Sequence, residues 1–336
     1  MSEPHPLRLS RRGFLFAGAG AGAGLLLPAC GRRSSSQDTA GSSADGAIVL
    51  VAGRSTVDLA GKEARTWTYD GRLPGREIRV RQGQRVRVRV ENKLPEATSV
   101  HWHGIRLANP MDGVPGLTQE PIAPGGSFLY DFEVPDAGTF MFHSHVGLQL
   151  DRGLYGALIV EAAQEHLAYD TEAVILLDDW LDGVDGTPEG QLKKLNDNGM
   201  NMGAGGMGGM DMGGGGSRQG DNMNGLRLRD PKATHVALDG TAPGAGHLAG
   251  LATAMEDGKA DPGDVQHPLY LMNGQPPKDP IVHEARAGDR VRLRLINIAG
   301  DTHFLFFVEG HELTVTHADG APVKPVVTDG VVIGMG

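Results

Sequence analysis

From Ala47 to about Ala163 the chain alternates apolar and polar residues in short runs broken by Pro, Gly and Asn. In Glu77-Ile78-Arg79-Val80-Arg81 and Gln84-Arg85-Val86-Arg87-Val88-Arg89-Val90 the alternation has a strict period of two, which predicts strands with one buried and one charged face. Short strands at this spacing indicate a sandwich or barrel. A second β-rich block starts near Thr171 with Ala173-Val174-Ile175-Leu176-Leu177 and resumes at about His267. Between them, from about 196 to 225, Met200, Met202, Met207, Met210, Met212 and Met223 stand in a Gly- and Asn-rich background. That composition has too little apolar surface to pack a core and predicts an inserted loop.

An internal repeat relates the two blocks. Arg81-Gln82-Gly83-Gln84-Arg85-Val86-Arg87-Val88-Arg89-Val90-Glu91-Asn92 recurs as Arg286-Ala287-Gly288-Asp289-Arg290-Val291-Arg292-Leu293-Arg294-Leu295-Ile296-Asn297. Two copies of one strand pattern imply two related β-domains, 47–163 and 164–336. At the repeat's constant offset, His101, Trp102 and His103 fall opposite Phe306, Phe307 and Val308, so the second copy is apolar where the first has imidazoles.

The first thirty residues read as an export segment. Ser10-Arg11-Arg12-Gly13-Phe14-Leu15 matches a twin-arginine signal, followed by a Gly-interrupted apolar stretch too short to span a bilayer. Cys30 is the sole cysteine and follows Leu27-Pro28-Ala29. It is either a lipobox cysteine that becomes acylated or a bystander to ordinary cleavage nearby, and it permits no internal disulfide. Residues 31–46 read as a flexible tether. The destination is the periplasm or outer cell surface, with membrane contact only through an N-terminal lipid. The net charge of -10 becomes more negative once the three arginines and one glutamate of the leader are removed, which argues against a nucleic-acid partner.

The chemistry concentrates in two His-x-His motifs, His101-Trp102-His103 and His143-Ser144-His145. Residues i and i+2 of a strand share a face, so each pair projects two imidazoles together and leaves Trp102 on the packing face. Imidazole suits copper and zinc, and two adjacent strands could present four to one patch. Around them lie Met111-Asp112-Gly113-Val114-Pro115-Gly116, Pro121-Ile122-Ala123-Pro124-Gly125 and Gly153-Leu154-Tyr155-Gly156-Ala157-Leu158-Ile159-Val160. Together these resemble the first cupredoxin domain of multicopper oxidases, particularly the bacterial laccase-like and copper-resistance branch. Gly310-His311-Glu312-Leu313-Thr314-Val315 resembles the family's copper-free middle domain, so His303, His311 and His317 are expected to be structural.

The resemblance implies an all-β fold of tandem cupredoxin-like Greek-key sandwiches and copper as cofactor. It implies His101 as a type-2 copper ligand and His103, His143 and His145 as type-3 ligands. Asp112 matches an acidic residue that delivers protons to reduced oxygen in some relatives, although Asp before Gly is equally a turn residue. The implied activity is one-electron oxidation of phenols, metal ions or Cu(I) coupled to reduction of O2 to water. A type-1 copper needs a thiolate, and this chain has no His-Cys-His and no cysteine beyond Cys30. The type-1 site and the remaining cluster ligands are therefore expected from a further C-terminal domain or another subunit, with the second sandwich here incomplete. The competing class is a non-catalytic copper-tolerance protein, in which the six loop methionines bind Cu(I) weakly; they could equally be linker residues that bind nothing. Copper nitrite reductase and metallo-β-lactamase-type hydrolases are excluded, because Ser144 replaces the former's cysteine and Gly104-Ile105 replaces the latter's Asp-His.

Overall fold

The alternation of Val with Arg produces the expected strands. In the computed structural model, which describes residues 45–202, 265, 267–279 and 281–336, the first block contains eight: β1 (Ile48–Leu59), β2 (Lys62–Tyr69), β3 (Ile78–Arg81), β4 (Arg85–Asn92), β5 (His101–His103), β6 (Ser127–Glu133), β7 (Gly138–His143) and β8 (Tyr155–Glu161). They form two four-stranded sheets, ordered β2-β1-β4-β6 and β3-β8-β7-β5. Val86, Val88 and Val90 of β4 are at most 2% exposed, while the intervening arginines face outward. The two sheets close over one core in which Trp102 packs its ring 4.9 Å from Phe132 and 5.6 Å from both Tyr130 and Phe142. Burying several aromatic side chains of this size dominates a sandwich core.

The second block repeats the arrangement. Among β9 (Thr171–Trp180), β10 (Leu269–Met272) and β11 (Val291–Asn297), the order is β10-β9-β11, with β9 and β11 parallel and β9 and β10 antiparallel. This matches β2-β1-β4 in order and direction. The correspondence extends to the asparagine that ends each repeat. Asn92 accepts from Leu94 N and donates to Glu96 O and Ile122 O; Asn297 accepts from Ala299 N and donates to Thr302 O and Ile333 O. Each carboxamide thus pins the loop that leaves its strand. Two ladders follow, β12 (Phe304–Phe306) with β15 (Val331–Ile333) and β13 (Leu313–Ala318) with β14 (Ala321–Thr328).

The blocks meet along Met141, Tyr155, Ala157 and Ile159 on one side and Leu176, Ile296 and Ile298 on the other. Buried polar groups cross the same boundary: the Tyr155 hydroxyl donates to Asp178 at 2.5 Å, and Arg294, paired with Glu172 of its own block, donates to the Thr139 hydroxyl. Burial and the neighbouring Asp179 and Asp151 charges push the Asp178 carboxyl well above the usual carboxylate range, against the opposing effect of the Tyr155 hydrogen bond.

One boundary differs from the sequence reading. The stretch from 196 to 202, expected as the start of the Met-rich loop, is the end of helix α1 (Pro188–Met202), so Met200 and Met202 lie on that helix. The helix starts where Thr187 caps it, its hydroxyl accepting from Gly190 N at 3.2 Å, with Pro188 and Glu189 in the first turn. A Lys193–Asp197 pair spans one turn further on. Met207, Met210, Met212 and Met223, the leader, the tether up to residue 44, and Cys30 lie outside the described residues.

Candidate metal centre

The register of two short strands gathers the histidines. β5 pairs antiparallel with β7 so that His101 lies opposite His143, Trp102 opposite Phe142 and His103 opposite Met141. Directly opposed residues share a face, as do alternate residues of one strand. The imidazoles therefore fall on one side, while Trp102 and Phe142, both 0% exposed, fall on the other and anchor the ribbon in the core. His145 follows two residues beyond His143, just past the strand. The His101 ring lies 5.6, 5.4 and 5.5 Å from those of His103, His143 and His145. Nitrogen atoms of His101, His103 and His143 all lie within 4.8 Å of one another.

Hydrogen bonds set which nitrogen faces inward. His101 Nδ1 donates to the Asp112 carbonyl at 2.8 Å, and His143 Nδ1 donates to the Ser144 carbonyl at 2.9 Å. A carbonyl can only accept, so both rings carry the proton on Nδ1 and keep a lone pair on Nε2. His143 Nε2 then accepts from His103 Nδ1 at 3.2 Å, a proton that a cation bound between these nitrogens would displace. Burial, and then the neighbouring imidazoles, bring the His143 pKa down to about 4 despite the bond to Ser144 O. Burial together with His101 and His145 also lowers that of His103. Neutral imidazoles are what a metal requires of such ligands.

The rings line an open cavity of about 220 Å³ together with Met141, Leu150, Asn297, Ile298, Ala299 and Gly336. No motif in the sequence assigns these wall residues to the site. Asn297-Ile298-Ala299 directly follow β11, so the second block forms a wall of the site although it supplies no imidazole to it. Asp112 acts here first through its backbone: it ends the short 3-10 turn Asn109–Met111, and its carbonyl orients His101, while its carboxylate Oδ1 lies 3.6 Å from His101 Nδ1. His311 bonds its own loop at Glu309 O and His317 bonds the Thr316 hydroxyl. Imidazole nitrogen with second-sphere carbonyl acceptors is a donor set that fits copper, and no carboxylate or thiolate joins the histidine group among the described residues.

A sandwich carrying a polyhistidine centre on one ribbon defines a cupredoxin-type metalloprotein. Family profiles described as multicopper oxidase match residues 52–165 and 248–336, together more than half of the chain. The chain is 37% identical to the multicopper oxidase MmcO of Mycobacterium tuberculosis, over 98% of this chain and 60% of that protein. It is 35% identical to copper resistance protein A of Escherichia coli, over 83% of this chain and 43% of the relative. Among solved structures, Fet3p, a multicopper oxidase that functions in iron import, shares the fold with a TM-score of 0.61 at 23% identity, covering 86% of this chain and 43% of that one. The chain belongs to the multicopper oxidase family, whose members bind copper, and it spans between 43 and 60% of the length of these two sequence relatives.

Proposed function

We propose that this chain is the copper-binding N-terminal part of an exported oxidase that couples one-electron oxidation of a small donor to reduction of O2 to water. The observation that carries the reading is the His101–His143 register, which converges two His-x-His motifs on one cavity. His101 is the type-2 ligand and His103, His143 and His145 are type-3 ligands. Copper held there supplies one-electron redox chemistry and a place for oxygen to bind. The chain's own part is to hold His101 and His143 with Nε2 inward, to keep His143 neutral, and to limit water with Met141, Leu150 and Ile298. The Asp112 carboxylate, next to His101 and one-third exposed, is placed to pass a proton from solvent. A further domain or subunit supplies the type-1 copper and the remaining ligands.

The names of relatives that act in copper resistance favour Cu(I) as the donor, and Met200, Met202, Met207, Met210, Met212 and Met223 are soft ligands suited to collecting it. Export by the twin-arginine route to the periplasm, with Cys30 as a lipid attachment point, completes the reading. The test is copper loading of the purified chain followed by oxygen consumption with Cu(I), alone and joined to a domain carrying a His-Cys-His sequence. Copper bound by the chain alone, with oxygen reduced only by the joined protein, is the expected result; a chain that takes up no copper refutes the proposal.

A further inference from the structure

Beneath the histidines lies a buried amide that the metal reading does not use. Gln149 is 2% exposed and spends every hydrogen-bonding position of its carboxamide. Its Oε1 accepts from the hydroxyls of Thr98 and Ser144, both at 2.7 Å, and its Nε2 donates to Ala97 O at 2.8 Å and Glu96 Oε1 at 3.1 Å. These partners belong to two segments far apart in sequence. Residues 96–98 lead directly into the strand that carries His101 and His103, while Ser144 stands between His143 and His145. A further hydrogen bond tightens the same junction, His145 N donating to the Ser99 hydroxyl at 3.3 Å, and the Thr98 and Ser144 oxygens, whose protons both go to Gln149, sit 3.3 Å apart. Ser144 also presents the carbonyl that orients His143.

We propose that Gln149 is a positioning residue that clamps the two His-x-His segments together and thereby sets the metal affinity of the centre. The clamp has a polarity. Reversing the amide would set Oε1 against the Ala97 carbonyl, two acceptors with no proton between them, so only one orientation satisfies all four partners. Gln149 also begins the turn Leu150–Arg152, accepting from Arg152 N through its carbonyl, so the same residue holds the Leu150 wall of the cavity. Buried networks of this kind are costly when half satisfied, and outer-sphere partners of metal ligands commonly carry a 10- to 100-fold effect on metal affinity.

The proposal rests on the copper reading, and the test separates the two. Copper(II) alone is titrated into the full-length chain against a competing chelator, with the electron paramagnetic resonance spectrum of the bound ion recorded. Q149L removes the polar contacts, and Q149E keeps length and shape but places oxygens against Ala97 O and Glu96. Both are expected to weaken copper binding about 10- to 100-fold and to change the copper hyperfine pattern. E96Q, which retains an acceptor oxygen for Gln149 Nε2, is expected to bind as the parent does. If Q149L and Q149E lower only the melting temperature and leave affinity and spectrum unchanged, or simply unfold the chain, Gln149 is core packing and the proposal fails. If the parent chain itself binds no copper, the copper reading fails instead.

Discussion

Replacing Gly113 by alanine disturbs the centre while leaving every imidazole in the sequence. Gly113 has φ +83°, and an added Cβ would lie 1.7 Å from Val100 O, 2.5 Å from Val100 C and 3.0 Å from His101 Cα. All three are backbone atoms of the segment that carries the first histidine pair, so no side chain can rotate away. The loop must retreat by more than an ångström to reach a tolerable contact, and Asp112, the preceding residue, moves with it. Its 2.8 Å acceptor contact with His101 Nδ1 is then lost. The left-handed backbone costs a non-glycine residue about 1–2 kcal/mol, the lost hydrogen bond about 1, and forced repacking about 1–3. The expected destabilisation is about 3–6 kcal/mol, read as a shift in the urea midpoint with unchanged slope. Copper affinity, read by chelator competition at a temperature where the variant is folded, is expected to fall at least about 10-fold because His101 is no longer oriented. A G113A chain with parental stability and copper affinity would refute the claim that this loop props His101.

Three further outcomes follow from the same coordinates. Burial, and then the charges of Asp179, Glu189 and Asp182, raise the Asp151 pKa to about 6; the folded chain thus binds the extra proton between about pH 4 and 6, and stability from this group is present below that window and lost as pH rises through it. D151N is expected to match the parent near pH 4 and to exceed it by about 1–2 kcal/mol at pH 7, the full linkage value being discounted for partial exposure; equal urea midpoints at pH 7 would contradict this. H143A is expected to lower copper affinity at least about 100-fold while H317A leaves it unchanged, and equal losses in isothermal titration would place the metal elsewhere. T187A removes the cap of α1 and is expected to cost about 1 kcal/mol, visible as faster amide exchange over residues 188–197 without change elsewhere.

Much of the centre was legible because a period of two fixes which side chains share a face. His101, His103 and His143 needed only that rule and an adjacent-strand pairing. The repeat from 81–92 to 286–297 was legible for a similar reason, and the structure extends it to the matching roles of Asn92 and Asn297. Its constant offset fails further on, since eight residues separate Asn92 from β5 but six separate Asn297 from β12; Phe304, Leu305 and Phe306 occupy the strand corresponding to His101–His103. The substituted face is apolar either way. The cavity wall at Asn297–Ala299 was invisible, because it depends on how two blocks dock rather than on any local pattern. Gln149 carried no signal either: one polar residue in a loop reads as surface until its partners at 96–98 and 144 are seen around it. The helix at Pro188 did carry a signal, Thr-Pro-Glu ahead of Gln191-Leu192-Lys193-Lys194-Leu195, which the Gly-rich sequence after it obscured.

Copper K-edge X-ray absorption on the copper-loaded chain reads the ligand shell of the metal itself. The expected spectrum shows a first shell of nitrogen with the outer-shell scattering of several imidazoles, lost in the H101A/H143A double variant. A sulfur-dominated shell, or an imidazole signal that survives the double variant, would show that the metal is held elsewhere than where β5 meets β7.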